Sequence, residues 1–308
     1  IRGGLVPNPI RHHHVPQTYL KNFSFKKKKQ YKIFTLDKFS KKIFEANIDD
    51  VAVEKNFYTV KKNKDNYIWE NFYAKNIEPM MGKMISEMIK VSQSCLITDG
   101  AEILNDEVKC RFAIIMVCQL LRGKHSREFE QRIFEEKAPQ ILDEAKRRFM
   151  FKGNKEIDII LENYKIDEDM FKLSAMDVSI DMERICMIAQ ELFDRYWVIY
   201  RIIGNGEFVT SDNPLMFMDG QTLDVTPFHN GISDTKTITF YPVSPKILIA
   251  TYSYNIYGGL LNCYDRKLIF ISEEKDRCFV DNLNKKQLEQ CSRQVFSKTK
   301  EIIEKMVD

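Results

Sequence analysis

The spacing of apolar residues changes period twice along this chain, and that alone narrows the folds open to it. Tyr31-Lys32-Ile33-Phe34-Thr35-Leu36 alternates and ends at Asp37-Lys38, and Lys42 to Ala46 follows as a second short run. Alternation of period two followed by a turn predicts a β-hairpin. Val51 to Val53 and Phe57 to Val60 extend that strand-like character. From about Asn66 the period becomes helical. Trp69, Phe72, Tyr73 and Ile77 recur three or four apart, and Met80, Met81, Met84, Ile85, Met88 and Ile89 form a stripe after Pro79, a pattern that belongs to a core-facing helix. Asn105 is placed to cap a helix with Asp106 and Glu107 in its first turn. The run Phe112 to Cys118 is apolar nearly all round, so that helix is expected to be central and buried. A charged amphipathic helix is read over about 127–150, and another from Ser174 or Ser179 to Tyr196.

At Trp197 the period returns to two. Trp197 to Ile203, Glu207 to Thr210, Thr237 to Tyr241, Ile247 to Tyr252 and Leu268 to Ile271 read as strands, and a last helix is expected from about Asp281 to Met306. Strands, then helices, then strands, then a helix predict an α+β fold rather than a wound α/β sheet. Its parts would be an N-terminal β-hairpin region, a central helical layer, a C-terminal antiparallel sheet and a terminal helix. With no internal repeat or long linker, residues 11–308 are expected to form one interwoven domain. Residues 1–10 are expected to be a cloning remnant or disordered.

Composition excludes several function classes. The net charge of +3 over 308 residues provides no global basic field for nucleic acid. The seven cysteines form no Cys-x-x-Cys pair, which argues against a zinc knuckle or a disulfide framework and favours a cytoplasmic setting. No apolar run reaches membrane-spanning length, so no membrane partner is expected. The phosphate loop, the dinucleotide-binding glycine pattern, the paired-histidine zinc motif and the nucleophile elbow are all absent.

Two segments concentrate reactive side chains. Three of the five histidines lie in His12-His13-His14-Val15-Pro16-Gln17, and Thr210-Ser211-Asp212-Asn213-Pro214 follows the end of a predicted strand. If the first segment is extended, as Val15-Pro16 favours, His13 and Gln17 project from the same face. Asp212 and Asn213 before Pro214 suit either a capped turn or a rigidly held pair of polar groups. Glu70 and Glu78 would lie about 80° and about 12 Å apart on an uninterrupted helix. Arg122 ends the apolar helix, with His125 and Arg127 just beyond, a grouping suited to an anion.

These residues carry a resemblance. The chain resembles bacterial domain of unknown function 4238 through His12-His13, Val15-Pro16-Gln17, Tyr19-Leu20 and Asn22-Phe23. The resemblance continues through Phe57-Tyr58, Glu70, Glu78 and Arg122, then Phe208 to Pro214, the Tyr241-Pro242 and Ser244-Pro245 corner, and Asn284. It spans about residues 11 to 297. His14 stands where an aromatic is common and Val243 where a leucine is usual. The resemblance groups polar residues together but implies no activity.

The mixture of histidine, carboxylate, amide and arginine is read as a phosphodiester- or nucleotide-directed hydrolase, most simply a metal-assisted nuclease serving as a toxin or phage-defence effector. In that expectation His13, Asp212 and Glu78 are catalytic, and Asp212 and Glu78 hold Mg or Mn. His12, Gln17, Arg122, Ser211 and Asn213 bind substrate, with nucleic acid or a nucleotide as partner. The other expectation is a non-catalytic sensor that holds a small anionic ligand or a partner peptide.

Overall fold

The computed structural model describes residues 11–307 apart from 56, 59–67, 151, 153, 165–167 and 228. The predictions for residues 1–10, for Thr59-Val60 and for the onset of helix at Asn66 therefore fall outside the described residues. The fold is α+β, as the change of period requires.

The N-terminal part contains β1 (Arg11–His13), α1 (Gln17–Leu20), β2 (Phe25–Lys27), β3 (Gln30–Asp37), β4 (Ile43–Asn47) and β5 (Val53–Lys55). β3 and β4 form the predicted hairpin, with Leu36 opposite Ile43. Phe57 and Tyr58 form a turn rather than a strand. Both side chains are buried, so this apolar pair marks core packing and not strand pairing.

The helical layer follows: α2 (Ile68–Phe72), a π-helical turn over Tyr73–Ile77, α3 (Glu78–Ser92), the two-residue β6 (Ala101–Glu102), α4 (Asp106–Leu121), α5 (Lys124–Phe149), α6 (Lys155–Asn163), α7 (Glu168–Ile180) and α8 (Met182–Phe193). Asn105 caps α4 by accepting from the Val108 amide at 2.9 Å.

The last part contains β7 (Tyr196–Ile203), β8 (Thr210–Ser211), β9 (Met216–Asp219), β10 (Thr237–Ser244), β11 (Ile247–Tyr252), α9 (Tyr254–Leu261), β12 (Lys267–Ser272), α10 (Glu273–Gln290), β13 (Gln294–Ser297) and α11 (Lys300–Glu304). The single helix expected over 281–306 is thus two helices separated by a strand.

Six strands form the main sheet in the order β6-β12-β7-β11-β10-β9, antiparallel except for the parallel β12–β7 pair. Every residue of β10 and β11 is buried, because helices cover both faces. Alternate residues serve opposite faces. Trp197, Ile199, Ile247 and Ile249 join Met81, Ile85, Phe112 and Met116 in one core, while Val198, Leu248 and Ala250 join Val280 and Leu283 in the other. The second sheet runs β2-β3-β13-β8, with β4 also on β3. Its central place for β13 positions the candidate site.

Candidate functional site

The N-terminal segment does not continue as a strand beyond His13. β1 pairs with β5, His13 opposite Val53, and Pro16 caps α1 so that Gln17 begins a helix. His13 and Gln17 still meet, with 2.9 Å between their Nε2 atoms. The contact arises across a strand-to-helix turn, not from the alternation of an extended chain. Burial lowers the His13 pKa, helped by the Arg122 charge and opposed by Asp49 and Glu78.

His12 faces the interior. Its Nδ1 accepts from the Tyr58 amide at 3.2 Å, which leaves the ring proton on Nε2, 3.4 Å from Glu70 Oε2. Tyr19, from the same motif, ties three segments together. Its hydroxyl lies 2.7 Å from Thr210 Oγ1 and donates to the Pro242 carbonyl at 2.5 Å. Asn284 completes this frame by accepting from the Val209 amide and donating to the Glu207 carbonyl, each at 2.9 Å.

Arg122 is likewise committed to the fold. It is 3% exposed, donates to Glu78 Oε1 at 3.0 Å and to the His13 carbonyl at 2.7 Å, and stacks over Tyr73. Both terminal nitrogens thus donate within the fold, to a side chain and to the main chain. Glu70 and Glu78 flank the π-helical turn and serve different partners, His12 and Arg122. Arg127 also turns inward, donating to the Phe57 carbonyl at 2.7 Å and lying over that ring.

In the second motif, Ser211 and Asn213 organise a turn. The Ser211 hydroxyl donates to the Asn213 carbonyl at 2.8 Å and accepts from Gln287 Nε2 at 2.7 Å. Asn213 Nδ2 donates to Gln290 Oε1 at 3.2 Å. Asp212 clamps the turn before β13: Oδ1 accepts from the Ser292 amide at 2.8 Å, and Oδ2 from the Arg293 and Gln294 amides at 2.7 and 2.9 Å. Burial pushes its carboxyl up to about 6 against the opposing pull of those three amides. Asp212 and Glu78 have separate partners: both Asp212 oxygens accept amide protons, and Glu78 Oε1 accepts from Arg122.

What the fold does assemble is a cleft of about 540 Å³ lined by His14, Lys124, His125, Asp212 and Ser292, among others. His125 Nε2 lies 3.0 Å from Ser292 Oγ. Burial lowers the His125 pKa, partly offset by Glu128 and a hydrogen bond to the Gln290 main chain, so its imidazole is neutral at pH 7. Lys124 and His125 open α5, a 26-residue helix whose N-cap Gly123 supplies no capping side chain. Lys124, His125 and Glu128 of α5 line the cleft, so its wall lies near the positive end of the helix dipole. His14, 6% exposed, also lines it, and its Nδ1 has no hydrogen-bond partner. Burial and nearby cationic side chains lower its pKa to about 3. Besides Asp212, three carboxylates line the cleft: Asp50 pairs with Arg11 at 3.0 Å, and Glu54 and Glu128 lie 3.7 and 3.8 Å from Lys124.

A family profile described as Protein of unknown function (DUF4238) matches residues 11–301. The chain belongs to the DUF4238 family. No curated protein and no solved structure is significantly similar to it. Among the described residues of this DUF4238 chain, no three His, Cys, Asp or Glu side chains are grouped to hold a metal ion, and no helix is long and apolar enough to cross a membrane. Ser292 and Lys124 escaped the sequence reading. Ser292 sits in no motif, and Lys124 follows Gly123 with nothing local to mark a helix N-terminus facing a cleft. His125 carried a partial signal as the basic residue after Arg122.

Proposed function

We propose that this chain is a hydrolase of phosphate esters, acting on nucleotides or phosphodiesters at the cleft beneath the first turn of α5. The observation that carries the reading is the 3.0 Å contact between His125 Nε2 and Ser292 Oγ in a cleft that is also lined by Lys124, the first residue of α5. A neutral imidazole within hydrogen-bond reach of a hydroxyl is the geometry of general-base activation. Helix amides with an ammonium group favour a phosphate beside it.

The chemistry follows from those positions. His125 takes the Ser292 proton as Oγ attacks phosphorus. The new Oγ–P bond forms, the ester P–O bond breaks, and the proton passes from His125 to the departing oxygen. Water then attacks the phosphoseryl group with His125 again as base; the Oγ–P bond breaks, the proton returns from His125 to Oγ, and phosphate leaves where the substrate was a monoester or a phosphomonoester where it was a diester. Lys124 and the first-turn amides offset charge on the phosphoryl oxygens. Asp212 acts indirectly, fixing the turn that holds Ser292.

Purified protein incubated with nucleotides, RNA and DNA, with release of phosphate or cleaved product as readout, tests the reading. Ser292→Ala and His125→Ala should each reduce turnover at least about a hundredfold with the fold intact by circular dichroism. Absence of turnover on every substrate, or a Ser292→Ala enzyme as fast as the parent, would overturn it. The role as a toxin or defence effector predicts growth arrest on expression in bacteria, relieved by His125→Ala.

A further inference from the structure

His125 lines two spaces, the cleft and a second chamber of about 280 Å³. The chamber walls are largely apolar, formed by Leu120, Phe129, Ile188, Leu215 and Phe217. A few polar groups meet there. Glu130 is 9% exposed and is held by Arg184 Nη2 at 2.5 Å. Asn213 and Gln290 orient each other through the Asn213 Nδ2 contact and through a bond from Gln290 Nε2 to the Asn213 carbonyl. Both amides line the chamber beside His125.

This combination selects among ligands. Those bonds use Glu130 Oε1 and Asn213 Nδ2; an alkyl chain would cover Glu130 Oε2 and Asn213 Oδ1 without replacing the water that bonds them, which costs free energy for each group left unpaired. A sugar or a bare phosphate would leave the aromatic and aliphatic walls wet. A planar heteroaromatic ring satisfies both, because its faces are apolar and its edge carries donors and acceptors that amides and carboxylates recognise. The space is of small-ligand size, near the lower end of the usual range of about 300–1,000 Å³.

We infer that this chamber holds the base of a nucleotide, so that its phosphate ester reaches past His125 to Ser292, Lys124 and the start of α5. The placement of the phosphate rests on the hydrolase reading; the binding of the base does not. The substrate class is therefore a nucleotide presented with its base unstacked, as a free nucleotide is.

Isothermal titration of the whole chain with adenosine, guanosine, cytidine and uridine, none of which carries a phosphate, tests the chamber alone. At least one nucleoside should bind saturably. Ile188→Trp, which fills the chamber from α8, should weaken that binding by at least about tenfold. Ser292→Ala should bind it as the parent does, and phenyl phosphate should bind at least about tenfold more weakly than the matching nucleotide. Leu215→Phe fills the same space from another lining position and replaces Ile188→Trp if that variant loses its circular-dichroism spectrum. No nucleoside binding, unaltered binding in the filled variant, or phenyl phosphate binding as tightly as the nucleotide would each overturn the inference. Nucleoside binding without hydrolysis of any nucleotide would remove the hydrolase reading and leave the chamber. Ribose phosphate hydrolysed as fast as a nucleotide would do the reverse.

Discussion

Replacing Arg122 by methionine separates a residue that holds the fold from one that holds a substrate. The side chain is 2% exposed and its ion-pair partner Glu78 is 29% exposed, so removing the cation strands a carboxylate that water reaches only in part. It also leaves the His13 carbonyl without its 2.7 Å donor. Breaking one side of a buried ion pair costs about 3–5 kcal/mol, and partial access of water to Glu78 places this case near the lower end, about 3–4 kcal/mol. At about 2.1 cal/mol/K per residue, the unfolding entropy of a chain of 308 residues is about 0.65 kcal/mol/K, so Tm should fall by about 5–6 °C. Calorimetry at neutral pH on Arg122→Met, Glu78→Gln and the double variant checks this, and the double variant should recover about 1–3 kcal/mol of the summed losses because the two residues are coupled. Arg122→Lys should recover little, since an ammonium cannot bond Glu78 and the carbonyl with the same planar fork. If Arg122→Met kept its Tm within about 1 °C and lost only affinity for phosphate ligands, the structural assignment would be refuted and the anion-binding role restored.

Three further outcomes follow from burial at the cleft. His14, normally 6.5 and lowered to about 3, contributes stability above 6.5 that is lost as pH falls; between about pH 6.5 and 5 the loss is about 2 kcal/mol, and His14→Phe should flatten that part of the stability profile. Asp212, raised from 3.8 to about 6, has the opposite sign: its contribution is full below 3.8 and about 3 kcal/mol of it is lost as pH rises through 6, a slope that Asp212→Asn should abolish in denaturant titrations. Because burial lowers the His125 pKa, hydrolysis should keep its rate down to the ordinary histidine range and decline only below it; an acid limb above about pH 6.5 in kcat/KM would contradict His125 as the base.

Much of the framework was legible because a buried face imposes its own period. The β3–β4 hairpin and α3 bury one alternation or one stripe, and α4, β10 and β11 are buried nearly all round, so that apolar residues record each of them as a period or as an unbroken run. β13 was not legible. Val295, Phe296, Ile302 and Ile303 recur in a way compatible with one long helix, and only the slot between β3 and β8 makes a strand of the first two. The His13–Gln17 pair was legible as a pair but not as a geometry, since a turn and a strand both bring those side chains together. Arg122 and Asp212 were legible as unusual polar residues. Their fates depend on Tyr73, Glu78 and three amides near residue 293, none of which is local in sequence.

The same insertion of β13 explains why the cleft exists. The turn leading into β13 is held from two sides: Asp212 accepts the amides of Ser292, Arg293 and Gln294, and Arg293 Nε bonds Asp37 Oδ2 at 2.6 Å from the end of β3. Lys38 closes the gap with its amide on the Arg293 carbonyl at 2.8 Å. A residue fixed on both flanks has little freedom to leave its neighbour, so the Ser292 hydroxyl stays within reach of His125 without any contact of its own to the core. Asp212 therefore belongs to the site through the turn it clamps. Its distance in sequence from the N-terminal histidines is bridged by β3 and β13, while His14 reaches the cleft because Gln119 Nε2 donates to its carbonyl at 3.2 Å from α4. The groups that line the cleft come from four separate stretches of chain: the main chain of His14 is bonded to Ala52 and Gln119, the Asp212 carboxylate to three amides, and Ser292 is carried by the turn that those amides form, beside His125 at the start of α5.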